Sequence, residues 1–187
     1  MQNQKISKKE EARKTKLDTL VTALKSLDNT KFDTLLEELK VIGDTSVLAV
    51  FAEIYPQCTV EQQHKLIDFM ADIREEDAQD ALIDIILELK DEPTRVAFLS
   101  AVWNNSMDFS EYLLEFAKIA VSGSFLEAIE CHTIIDNLEG PFEEYVVLDA
   151  KMLVTDKLQT VKDDVQKVLI LSDILLKIEE FDQNIES

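Results

Sequence analysis

Glycine and proline are nearly absent from this chain, with three of each in 187 residues. A sheet protein of that length needs many tight turns, and these two residues supply most of them, so strands are disfavoured. Tryptophan occurs once, and histidine and cysteine twice each. Cys58 and Cys131 lie far apart with no CxxC pair. That spacing argues against a disulfide framework or a zinc site, and for reduced thiols packed as small apolar groups. No eighteen apolar residues run together, and Met1 to Lys16 lacks an apolar run of signal-peptide length. A soluble cytoplasmic protein without membrane insertion is expected. Cations are scarce as well: 19 Lys and Arg face 38 Asp and Glu, a net charge of -19. Phosphate attraction is supplied by cations, so nucleic acid is not an expected partner and a basic protein or peptide is.

What the chain does have is Leu, Ala, Glu, Asp and Lys in helical periodicity, enough to bury about 70% of its unfolded surface as one domain. The reading is all-α. One pattern recurs at a nearly fixed interval between Phe32 and Val154. Apolar residues align as Val47, Val50, Phe51 and Ile54, then Ala78, Ala81, Leu82 and Ile85, then Phe109, Tyr112, Leu113 and Phe116, then Phe142, Tyr145 and Val146. The steps are 31, 31 and 33 residues, and Leu36, Ile67, Phe98 and Ile129 keep steps of 31. Self-similarity with two helical patterns per unit indicates an α-solenoid, whose units bury their apolar faces by stacking.

The boundaries follow from caps and breakers. A flexible basic tail is expected over residues 1–8, then a helical-repeat domain over 9–182. Capping helices are expected near 10–27 and 157–181, with four repeats near 32–58, 59–91, 92–123 and 124–155. Gly43 suits a left-handed helix stop, Pro56 ends a helix before it, Thr59 suits an N-cap and Pro93 a first helical turn. After Thr155 there is no Gly or Pro, and one long helix or two fit residues 156–182.

Leu39-Lys40-Val41-Ile42-Gly43-Asp44-Thr45-Ser46-Val47-Leu48-Ala49-Val50-Phe51 resembles the helix, Gly-Asp turn and second apolar helix of HEAT-repeat proteins. The second unit keeps that plan over Ile73 to Asp84. The third and fourth lack the Gly-Asp turn, having Asn104-Asn105 and Glu139-Gly140-Pro141 instead. The resemblance covers about two thirds of the chain and implies a fold more than an activity. It implies that the second helices line the concave face and that the usual task is holding another macromolecule. Some HEAT-like solenoids are DNA glycosylases with a basic concave face, whereas the corresponding helices here offer Glu and Asp.

The main candidate surface is acidic. Glu53, Asp84 and Glu115 occupy one repeat position, and Asp80, Glu111 and Glu144 another. Asp80 and Asp84, like Glu111 and Glu115, are four apart and share a helix face. Stacked second helices would gather the six into a ridge for a Lys- or Arg-rich segment. The plainer account is a solvated face, with Asp80, Glu111 and Glu144 favoured early in their helices by the macrodipole. Trp103, which shares a repeat position with Val41, Asp72 and Ile134, is a candidate anchor. It could equally pack between units. His132 aligns with core positions and His64 with a polar first turn; neither stands at a metal-ligand spacing.

No nucleophile elbow, phosphate loop or convergent carboxylate pair occurs. Neither catalytic residues nor a cofactor nor a metal site is expected. The basic stretch Lys5 to Lys16 could touch phosphates or pair with the chain's own carboxylates. An acidic decoy that occupies a nucleic-acid-binding site is a further alternative, and self-association is left open.

Overall fold

The computed structural model describes residues 2–74 and 76–185. Among these are ten α-helices and two short 3-10 turns, with no strand. The helices are α1 (Gln2–Leu24), α2 (Asn29–Ile42), α3 (Ser46–Ile54), α4 (Val60–Ala71), α5 (Glu76–Glu88), α6 (Glu92–Trp103), α7 (Leu113–Ser122), α8 (Phe125–Asp136), α9 (Glu144–Thr160) and α10 (Val165–Ile185). The chain forms two compact units that divide between Ile85 and Ile86, within α5. The stretch expected as a tail lies within α1, apart from Met1, which is outside the described residues.

Local chemistry sets most helix ends. Thr59 and Gln62 make a reciprocal capping box at the start of α4, and Ser124 and Glu127 make another at the start of α8. Each satisfies two helix-end groups that have no intrahelical partner. Asp28 and Asp91 accept from Thr30 N and Thr94 N at the starts of α2 and α6. Gly43 ends α2, but not in the left-handed region: its φ is -61 and its ψ 166. Glycine is needed there for space, since a Cβ would lie 2.5 Å from the Leu39 carbonyl oxygen. The left-handed positions are elsewhere, at Gly140 (φ 82) and at Leu27 (φ 54), where the chain leaves α1. A branched residue at such a φ is strained by about 1–2 kcal/mol, a cost the surrounding packing has to offset.

In the first unit α1 packs on α2 and α2 on α4. Its core holds Leu24, Phe32, Leu39, Leu48, Phe51, Leu66 and Met70. Phe51 and Phe69 meet edge to face with ring centres 5.0 Å apart, the arrangement that ring quadrupoles favour. In the second unit α6 packs on α8, α7 on both α8 and α9, and α10 on α8 and α9. Ala97, Ala101, Ala117, Ala120, Ala128 and Ala150 are buried there beside Phe98 and Phe116. Small residues between helices let large neighbours interdigitate without voids.

Two expectations change in the second unit. The buried positions Leu113, Phe116 and Ala120 of α7 align with Val147, Ala150 and Val154 of α9, all fully buried, at a spacing of 34 residues. The step of 33 put Tyr145 in the apolar column, whereas Tyr145 is 65% exposed. Helix α9 also runs past residue 155 to Thr160, and the break expected before a capping helix falls at 161–164. Asp164 makes that break without Gly or Pro, because its carboxylate accepts from Lys167 N at 3.0 Å and its carbonyl from Val168 N at 2.9 Å. Here a side-chain cap restarts the helix.

Candidate functional site

The six carboxylates fall on both sides of the division and are described unit by unit. In the first unit Glu53 lies on α3, and Asp80 and Asp84 on α5, all exposed. Glu53 is held at 2.5 Å by Lys25, in the turn that follows α1, a pair open to solvent. In the second unit Glu111 is exposed in the 3-10 turn Ser110–Tyr112 that precedes α7. Glu115, on α7, is part-covered and pairs with Lys118 at 3.3 Å. Glu144 is exposed in the first turn of α9. When the buried positions of α7 and α9 are aligned at a spacing of 34, Tyr145 rather than Glu144 falls opposite Glu111, and Asp149, exposed on α9, falls opposite Glu115. Asp149 escaped the sequence reading because Val146 and Val147 are both apolar, so either alignment satisfied the pattern.

Trp103 is the last residue of α6 and is 40% exposed. Its indole N–H donates to the Glu130 carboxylate of α8 at 2.7 Å. The ring borders a cleft of about 290 Å³ formed with Asn105, Met107, Asp108, Ile134 and Glu139. Three polar side chains of that cleft are already engaged. Asn105 accepts from Met107 N, Asp108 from Ser110, and Asn137 donates to Thr133 O. The other members of the Trp103 column grade from Val41, 83% exposed, to Ile134, 2% exposed. The positions aligned with Trp103 by sequence thus range from surface to core.

The strongest electrostatic feature was not foreseen. Glu127 of α8 is 1% exposed. Its carboxylate accepts from Arg95 Nε of α6 and from Ser124 N. Lys167 of α10, 5% exposed, donates to the carbonyls of Gly123 and Ser124 at 2.7 and 2.9 Å. Burial pushes the Glu127 carboxyl up, but the Arg95 and Ser124 hydrogen bonds outweigh it and hold it below the usual range. Burial also pushes the Lys167 ammonium down. A Cβ at Gly123 would collide with the Glu127 carboxylate and lie 2.8 Å from Ile119 O, which is why glycine stands there. Ser124 and Glu127, three apart before an apolar run, were the available signal in the sequence. Every polar group of this cluster faces another protein group, so it serves to lock α6, α8 and the start of α10 together.

The remaining candidates have structural surroundings. Cys131 is buried, and desolvation pushes its thiol far above the usual range; Cys58 is half-buried and shifted the same way. Neither is a thiolate nucleophile in that state. His64 is exposed and His132 half-buried. Among the described residues no group of His, Cys, Asp and Glu is arranged to hold a metal ion, and no helix is long and apolar enough to cross a membrane. Of the basic stretch, Arg13 donates to the carbonyls of Ile42 and Gly43 at the end of α2, at 3.1 and 3.0 Å, and Lys16 pairs with Glu38 at 3.0 Å. Cations are favoured at helix C-termini, so these two groups serve the fold. No family model, no curated protein and no solved structure matches the chain.

Proposed function

We propose that this chain is a noncatalytic binding module, a short HEAT-like α-solenoid that holds a basic protein or peptide. The alternation of partners supports the solenoid: α2 packs on α4, α6 on α8 and α7 on α9, each helix meeting the corresponding helix of the next repeat. One observation carries the binding role. The second helices and the turn leading into α7 turn carboxylates outward, with Glu53, Asp80 and Asp84 exposed in one unit and Glu111, Asp149 and Glu144 in the other. In a chain of net charge -19 such faces attract cationic segments over about a Debye length, roughly 8 Å at physiological salt. Their contribution is chiefly to association rate and partner choice. Trp103, half open at the end of α6, is a further candidate anchor. A cytoplasmic setting suits the two free cysteines.

Affinity capture with the wild-type chain, washed at low and high salt and repeated with Glu53→Lys/Asp84→Lys/Glu115→Lys, tests this reading. A partner that elutes with salt and is lost from the folded variant supports it. The same partners on both proteins reduce the carboxylates to a solvated face.

A further inference from the structure

Helix α9 shows solvent something that α7 does not. Its buried side carries Val147, Ala150 and Val154, while Tyr145, Leu148 and Met152 fall at i, i+3 and i+7 on the other side, 65%, 45% and 61% exposed. Isolated exposed apolar residues are ordinary, but three in one helical stripe form an unpartnered face. The equivalent positions in the preceding repeat are Glu111, the half-buried Leu114 and the exposed Lys118. The fourth repeat has therefore replaced two charged positions with an aromatic ring and a thioether, residue types that interfaces favour.

The exposed charge beside the stripe is mainly acidic. Asp149 and Asp156 are exposed on α9 itself, Glu144 opens the helix, and Glu115 lies on α7, which packs against α9. Two of the nearby cations are already held, and a third, Lys157 of α9, is half-buried. Lys118 pairs with Glu115 at 3.3 Å, and Lys151 pairs with Asp182 of α10 at 2.7 Å. An apolar stripe bordered by carboxylates complements a helix with apolar residues every three or four positions and Lys or Arg beside them. A second copy fits poorly, because it would bring carboxylates against carboxylates. The stripe also offers only about 300 Å², against about 800 Å² per partner in a stable dimer.

We infer that the outer face of α9, through Tyr145, Leu148 and Met152, seats a basic amphipathic helix, with Asp149 and Asp156 engaging its cations. This rests on the reading of the chain as a module for basic partners, and names where the partner sits. The test is an NMR and anisotropy titration with a synthetic amphipathic Leu/Lys helical peptide, alongside a scrambled peptide of the same composition. The amphipathic peptide is expected to shift the amides of 145–156. Leu148→Ala/Met152→Ala should weaken binding about tenfold, the loss of about 1.4 kcal/mol of anchor contacts, while Leu126→Ala, at an exposed apolar residue of α8, leaves it within about twofold. Equal binding of the scrambled peptide, or unaltered salt-sensitive binding to the double variant, overturns this seat and leaves the broader acidic reading standing. If neither peptide binds, both fail. A dimer in sedimentation that Leu148→Ala/Met152→Ala disperses makes a second copy the occupant and overturns the assignment.

Discussion

The two units use the same acidic composition in opposite ways. In the first, charged ties between helices lie in solvent: Lys16 with Glu38 at 3.0 Å, Lys25 with Glu53 at 2.5 Å, Lys65 with Asp33 at 2.7 Å and Lys40 with Asp72 at 3.6 Å. In the second, Glu127, Arg95 and Lys167 are drawn inward and their partners come from three different helices and the turn before α8. Exposed pairs are worth about 0–1 kcal/mol each, because water and salt screen them. Breaking a buried pair costs about 3–5 kcal/mol, since the group left behind is charged and dry. These carboxylates thus divide into Glu127, which holds the fold from inside, and those that stay in solvent.

The largest effect that separates the units is expected from Glu127→Ala, which takes the carboxylate from Arg95 and a counter-charge from Lys167. A loss of about 3–5 kcal/mol in urea unfolding followed by Trp103 fluorescence is expected. A loss below about 1 kcal/mol would place this cluster with the surface pairs. Acid should act through the same group. The folded Glu127 carboxyl lies below its ordinary value, so the native state binds fewer protons than the unfolded chain. Its stabilisation is complete above the unfolded value of about 4.3 and disappears as pH falls through the lower folded value. Glu127→Gln should flatten that part of the acid transition. An unchanged transition would show that Glu127 does not drive it.

Next in size is Gly123→Ala, whose Cβ meets the Glu127 carboxylate. A cost of about 1–3 kcal/mol is expected from the forced displacement, read as a lower thermal midpoint. The smallest effect belongs to the first unit. Lys65→Ala removes contacts to Asp33 and Glu61, both at 2.7 Å, yet should cost no more than about 1 kcal/mol. At about 1 M salt the difference from wild type should vanish in the same urea assay.

Legibility in the sequence followed the range of the physics. Thr59, Asp91 and Pro93 were readable as helix starts because capping involves neighbours only. The apolar positions Phe51, Leu82 and Leu113, each at most 3% exposed, were legible because burying one helix face imposes a period on the sequence. The alignment of α9 slipped by one because the turn before it is longer than expected and apolar residues stand on both sides of the alignment. That slip concealed both the exposed stripe of α9 and the place of Asp149. Arg95, Glu127 and Lys167 are separated by 32 and 40 positions. Only tertiary packing brings such groups together, and nothing local in Arg95 or Lys167 distinguishes them from the surface cations elsewhere in the chain.

The measurement that tests the functional account most directly is a comparison of two charge reversals for affinity to the amphipathic Leu/Lys peptide: Asp80→Lys/Asp84→Lys in the first unit and Asp149→Lys/Asp156→Lys in the second. All four positions are exposed, so both variants should remain folded by circular dichroism. A loss of about tenfold or more is expected from the second pair, with a steep salt dependence in the wild type, and about twofold from the first through long-range attraction alone. Equal affinity of both variants and the wild type would contradict the account, and would leave the acidic faces as nothing more than the solvated surface of the helices.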